Sequence, residues 1–348
     1  MTAILSSAAQ PRGGGGVRDS MKTLWARVML AGLLLGSRVT AAEAYDPSKV
    51  AEGDVASKTF DVKDAARDRA IPVRVYLPVD KKPLPVVLFS HGLGGSRDNN
   101  PYLGEHWAKR GYVVVFVQHP GSDESVWKDA AALERVTAMR QAASAKNYLD
   151  RTKDVPAVLD ALTRWNGEKG HTLHGRMDLE KVGMSGHSFG AQTTQVMAGQ
   201  SAGKLSLRDP RIDAAVMMSP SPPQRGDAAA AFATVKIPCL LMTGTLDDSP
   251  IGNTTPADRL KVFPHLKEAP AWQVVFDKAN HGAFGQREVR GKTTKEPRYH
   301  RAILALTTAF WDAELKGKPE ALKWLNEDGA KKVLLPEDRW EKNGKTAG

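Results

Sequence analysis

Gly186-His187-Ser188-Phe189-Gly190 lies between a strand-like run, Lys181 to Ser185, and a helix-like run from Ala191 to Ala198. A serine flanked by glycines where a strand turns into a helix reads as a nucleophile elbow. The turn is so tight that side chains at the flanking positions would clash, so glycine is needed on both sides. Such a turn lifts the serine hydroxyl above the sheet, within reach of a substrate carbonyl. Five residues alone are a weak match. Two further stretches give the match its force, because they fall where this chemistry needs them.

Upstream, Leu84-Pro85-Val86-Val87-Leu88-Phe89-Ser90 is a continuous apolar run. That pattern fits a parallel strand covered by helices on both faces. The runs Ser57–Val62, Ile71–Leu77, Tyr112–Gln118, Ile212–Met218, Cys239–Thr243 and Trp272–Phe276 also read as strands. Helical patterns fall over Pro101–Arg110, Thr152–Trp165 and His300–Leu315, and Gly111 ends the first of them. Strands alternating with helices predict an α/β fold: a doubly wound, mostly parallel sheet with helices on both faces. Its reactive loops belong at the carboxyl ends of the strands. The stretch between Met218 and Cys239 is short, with a helix expected over Ala228–Ala233, so no large cap domain fits there. Residues 120–148, with Trp127, are read with equal weight as a partial lid or as an ordinary surface helix.

A serine hydroxyl needs a base within hydrogen-bond reach, and the base needs an orienting acid. After Ser188, the segment Gly244-Thr245-Leu246-Asp247-Asp248 follows one strand, and Asn280-His281-Gly282 follows another. The alternative base, His265, follows no strand. The reading is therefore Ser188 as nucleophile, His281 as base and then acid, and Asp247 as orienting carboxylate, with Asp248 as the alternate acid. Neighbouring residues in a strand-end loop point different ways, so only one carboxylate reaches the imidazole. A developing oxyanion needs donors. These are assigned to the Phe189 N–H and to the Leu93 N–H in the glycine-rich loop His91-Gly92-Leu93-Gly94-Gly95. Among the other histidines, His91 is expected to brace that loop, and His187 to contact substrate or neighbouring loops. His119 is expected to be a satisfied structural histidine.

Composition narrows the classes. The 348 residues are 41% hydrophobic and 25% charged, with a formal net charge of +10. That excess favours anionic partners at long range, but no Lys/Arg block interleaved with aromatics is present, so nucleic acid is not an expected partner. Lys316, Lys318, Lys323, Lys331 and Lys332 read as a solvated face. The single cysteine, Cys239, excludes an intramolecular disulfide and reads as a small core residue. H-E-x-x-H and C-x-x-C are both absent, and Gly285 stands one residue too far from Gly291-Lys292-Thr293 for a phosphate loop, so no metal or organic cofactor is expected. Asn253-Thr254-Thr255 fits a glycosylation sequon, read as chance.

Residues 21–44 carry Lys22 and Arg27, an apolar run from Val28 to Gly36, and Ala42-Glu43-Ala44. This is the layout of a signal peptide, so cleavage after Ala44 and export to the periplasm or outside are expected; an uncleaved anchor is the alternative. The apolar run is too short to span a bilayer. Residues 1–20 are low-complexity and read as an upstream mis-start. Residues 45–348 read as a single catalytic domain.

With these residues in view, Phe89-Ser90-His91-Gly92-Leu93-Gly94-Gly95 together with Gly186–Gly190 resembles the platelet-activating-factor acetylhydrolase-like α/β-hydrolases, to which chlorophyllase-like and cutinase-like polyester hydrolases are related. The resemblance runs from about Ser57 to the final helix. It implies a serine esterase with oxyanion donors at Leu93 and Phe189. The chain departs from the plasma lipase-type members, which take their acid from the loop after the strand that here ends at Met218. Ser219 and Pro220 stand there, which moves the acid to the 244–248 loop, as in cutinase-like and bacterial members. The expected substrate is a small-molecule or lipid-like ester. A peptidase or acyltransferase on the same three residues, and a non-catalytic binding protein on the same scaffold, are the rival readings.

Overall fold

A computed structural model of the chain describes Gln10, residues 44–286 and 297–345, and the backbone of 288–289 and 292–293. The expected leader at 21–44 and the segment 1–20 lie outside the described residues, Gln10 and Ala44 apart. The described residues from Tyr45 onward form one compact unit.

Nine strands build its central sheet: β1 Ala56–Asp64, β2 Arg69–Leu77, β3 Leu84–Ser90, β4 Val113–Val117, β5 Met177–His187, β6 Ala214–Met218, β7 Cys239–Leu246, β8 Ala271–Asn280 and β9 Arg339–Lys342. Their spatial order is β1-β2-β4-β3-β5-β6-β7-β8-β9. Strands β4, β3, β5, β6, β7 and β8 run parallel, while β1, β2 and β9 pair antiparallel at the two ends. The helices are α1 Pro101–Lys109, α2 Ser125–Lys128, α3 Arg135–Ala142, α4 Ala145–Gly167, α5 Phe189–Ala198, α6 Ala228–Phe232, α7 Pro256–Arg259, α8 Pro297–Glu314 and α9 Pro319–Asn326.

The sheet is apolar on both faces. In β3, Val87 and Phe89 join a core with Leu103 and Trp107 of α1 and Leu306 and Phe310 of α8. The intervening Val86 and Leu88 join a second core with Val155, Val158 and Leu162 of α4. Alternate side chains thus enter opposite layers, which is why every residue of β3 is apolar or small. A third cluster seats Ala191 and Ala198 of α5 with Phe232 of α6 over Ala215, Met217, Cys239 and Leu241. Cys239 is wholly buried there, and burial pushes its thiol pKa up, as suits a core residue.

Local signals set the helix ends. Pro101 sits at the start of α1, and Gly111, at φ 91°, follows its end. Helix α4 begins seven residues before the apolar pattern, because the Ser144 hydroxyl accepts the Asn147 N–H and caps it. The lysine-rich end needs a correction. Asp312 of α8 is buried and accepts from Arg110, Tyr112 and Tyr45. Lys316 Nζ lies 3.4 Å and Lys318 Nζ 3.3 Å from the same carboxylate. These two lysines offset a buried charge rather than forming a free solvated face, whereas Lys323 and Lys331 do point outward.

Candidate active site

The site forms where β3, β5, β7 and β8 end, beside the point where the strand order reverses at β3. Ser188 closes β5 and opens α5 with φ 58° and ψ −117°, a conformation a non-glycine residue adopts only under strain. Both neighbouring glycines are forced. A Cβ on Gly186 would come 2.3 Å from the Gly190 carbonyl oxygen, and one on Gly190 would come 1.9 Å from the Ser90 carbonyl oxygen. The backbone therefore packs β5 and α5 directly onto the end of β3.

His281 is placed by a β-bulge. The register of β8 against β7 shifts between Phe276 and Asn280, with Lys278 at φ 55°. Such irregularities re-aim a strand end. Gly244 permits it, because a Cβ there would meet the Ala279 carbonyl oxygen at 2.1 Å. Asn280 then caps the single turn His281–Phe284 by accepting the Gly282 N–H.

Three sequence-predicted side chains meet in a line. His281 Nε2 is 2.9 Å from Ser188 Oγ, and His281 Nδ1 is 2.7 Å from Asp247 Oδ1. The carboxylate can only accept, so Nδ1 carries the proton and Nε2 accepts from the serine hydroxyl. Asp247 is fully buried, and its Oδ2 accepts from Thr243 Oγ1 at 2.9 Å. Asp248 is exposed and stands outside this line.

The 91–95 loop runs past the nucleophile. A Cβ on Gly92 would lie 3.4 Å from Ser188 Cβ. The N–H groups of Gly94 and Gly95 donate to the carbonyls of Ser122 and Gly92. Leu93 lies half-buried between Gly92 and Gly94, and Phe189 occupies the first position of α5, where a backbone N–H has no intrahelical acceptor. The segment 122–142 is laced onto this loop. Trp127 Nε1 donates to the Gly94 carbonyl at 2.7 Å, and the Glu124 N–H donates to Gly95.

His91 does brace the loop: Nδ1 donates to the Gly92 carbonyl, and Nε2 accepts the His119 N–H. Burial holds both histidines neutral, aided by the nearby Arg151 charge; His119 is pushed down to about 4. His119 is satisfied on both sides, by Ser90 Oγ at 2.9 Å and by Asp154 Oδ2 at 3.0 Å. Burial alone would raise the Asp154 pKa, but bonds from His119 and Arg69 overcome it and hold the carboxyl well below its usual range. Arg151, also fully buried, donates to Ser90 Oγ, to the His91 carbonyl, to Ser122 Oγ and to Thr193 Oγ1. The loop thus rests on a dry polar network. His187 lies with its ring centroid 4.7 Å from that of His281. Among the described residues, no group of three or more His, Cys, Asp or Glu is arranged to hold a metal ion.

Sequence reasoning missed Arg259. A capping box between Thr255 and Asp258 starts α7. Nothing in the spacing shows that the next residue turns inward onto Asp247. It does, with Nε 3.0 Å from Asp247 Oδ1.

Residues 85–238 match the family model described as alpha/beta hydrolase fold. The sheet continues that architecture beyond the matched stretch, so the chain has the α/β-hydrolase fold. No curated protein matches the chain.

Proposed function

We propose that this chain is an exported serine hydrolase that cleaves carboxylic esters through an acyl-enzyme on Ser188. The observation that carries the reading is the hydrogen-bonded line Ser188–His281–Asp247, in the tautomer a base requires, set on a strained elbow. The α/β-hydrolase fold supports hydrolysis as the general reaction.

His281 takes the proton as Ser188 Oγ bonds to the ester carbonyl carbon. The oxyanion accepts from the N–H groups of Leu93 and Phe189. Collapse breaks the bond to the leaving alcohol, which receives the proton from imidazolium. Water repeats the sequence and frees the acid. The resemblance of Phe89–Gly95 and Gly186–Gly190 to platelet-activating-factor acetylhydrolase-like and cutinase-like enzymes points to esters rather than amides. Export rests on residues 21–44. Among the described residues, no helix is long and apolar enough to cross a membrane.

The test is fluorophosphonate labelling with peptide mapping, alongside turnover of short-chain p-nitrophenyl esters. The adduct is expected on Ser188, and Ser188→Ala is expected to be inactive. Turnover undiminished in Ser188→Ala would overturn the proposal. Acyl transfer to amines outrunning hydrolysis would favour the peptidase or acyltransferase reading, and absence of both labelling and turnover a binding protein.

A further inference from the structure

Arg259 is charged at any ordinary pH, and taking a guanidinium out of water is costly unless its donors are met. Its side chain is only 2% exposed. Nε donates to the main-chain carbonyl of Asp247 at 2.7 Å and lies 3.0 Å from Oδ1 of the same residue. Nη1 donates to the carbonyls of Ser219 at 2.8 Å and Pro220 at 3.1 Å. Nη2 stands 3.2 Å from His281 Nδ1. Since Nδ1 is itself protonated, imidazole and guanidinium are two donors converging on one carboxylate oxygen.

The guanidinium joins the loop after β7 to the loop after β6, so the acid cannot rotate away from His281. The charged or titratable groups facing His281 are Asp247 from the end of β7, Arg259 from α7 and the His187 ring from β5, with Asp248 exposed beyond Asp247 and acting on Arg259.

We infer that Arg259 is a positioning residue of this site: it fixes the Asp247 carboxylate in the orientation His281 uses. The inference rests on the reading of Ser188, His281 and Asp247 as the catalytic line.

The experiment uses the full chain with p-nitrophenyl acetate. Arg259→Met and Arg259→Lys are each made alone and in an Asp247→Ala background. Arg259→Met should lower kcat roughly 100-fold, as a misplaced catalytic group does, with KM changed by less than about twofold. Arg259→Lys should restore part of the lost kcat. In the Asp247→Ala background, removing Arg259 should cost no further turnover, because the group it positions is gone. Parental kcat in Arg259→Met would overturn the inference, as would an equal fold-loss with and without Asp247. Should Arg259→Met lack a folded circular-dichroism spectrum, Arg259→Lys carries the same comparison: a loss of kcat that is absent in the Asp247→Ala background supports the role, and parental kcat defeats it. An active Ser188→Ala would sink the underlying catalytic reading; an inactive Ser188→Ala beside unaffected Arg259 variants would sink this inference alone.

Discussion

Replacing Asp247 by asparagine removes one charge and almost no volume. An amide placed there has two orientations. With its oxygen at the Oδ1 position, it accepts from His281 Nδ1, as the carboxylate does at 2.7 Å, and faces the Arg259 guanidinium, whose Nε is 3.0 Å away. Its NH2 then faces Thr243 Oγ1, which can turn to accept. With the amide reversed, NH2 would face two donors at once. Arg259 therefore selects the first orientation, and His281 keeps its Nδ1 proton. What is lost is the ionic part of the bond to imidazolium. A hydrogen bond to a charged partner contributes about 1.5–3 kcal/mol against about 0.5–1.5 for a neutral one, and the difference grows in a dry site. The upper end of that difference, about 2.5 kcal/mol, corresponds to roughly 70-fold in kcat. A reversed amide would instead impose the wrong tautomer, and that error costs about 10⁴-fold in a serine protease. Steady-state kinetics on p-nitrophenyl acetate distinguish the outcomes, with thermal melts confirming that the protein assayed is folded. Asp248→Asn, made in parallel, should stay within about twofold of the parent because its side chain is exposed. A 10⁴-fold loss at Asp247 would refute the orientation argument. A loss below tenfold, or a greater loss at Asp248, would refute the choice of acid.

Gly190→Ala should leave no soluble folded protein, since its Cβ would sit 1.9 Å from a backbone oxygen, whereas Gly167→Ala, with open space around it, should be tolerated with a melting temperature no lower than the parent's. Trp127→Ala removes the bond to the Gly94 carbonyl, so kcat should fall about fivefold, the equivalent of one hydrogen bond near 1 kcal/mol, with KM less affected; equal kcat would detach Trp127 from the loop's function. Asp312 is held at about 2: burial alone would raise it, but the Lys316 charge and the Arg110 and Tyr112 donors prevail. A carboxyl depressed in the folded state stabilises the fold above its unfolded value of about 4, and that contribution fades as pH falls toward 2. Denaturant midpoints of the parent should therefore drop over this window more steeply than those of Asp312→Asn; parallel curves would remove Asp312 from the acid response.

Much of this could be read from sequence because it is locally enforced. Gly186, Ser188 and Gly190 are constrained by contacts within a few ångströms of one turn. The runs 84–89 and 113–117 are apolar throughout because helices cover both faces. Strand β9, Arg-Trp-Glu-Lys at 339–342, was invisible: it pairs on one side only, so no apolar pattern is required of it. Asp154 lies on a helix whose polar residues would be assigned to solvent, yet it is fully buried, because Arg67, Arg69 and His119 reach it from distant segments. Arg259 was hidden for the same reason. Partners brought together by tertiary folding leave no periodicity behind.

The Ser90–His119–Asp154 chain has a consequence for how hydrolases are recognised. Among the described residues, a geometric template of hydroxyl, imidazole and carboxylate fits both this chain and the Ser188 line, at 2.9 and 3.0 Å for one and 2.9 and 2.7 Å for the other. All three side chains of the first are sealed from solvent, and an arginine already occupies its hydroxyl. Shape alone cannot rank the pair; only access for an incoming molecule separates a scaffold's internal brace from a place where bonds can be broken.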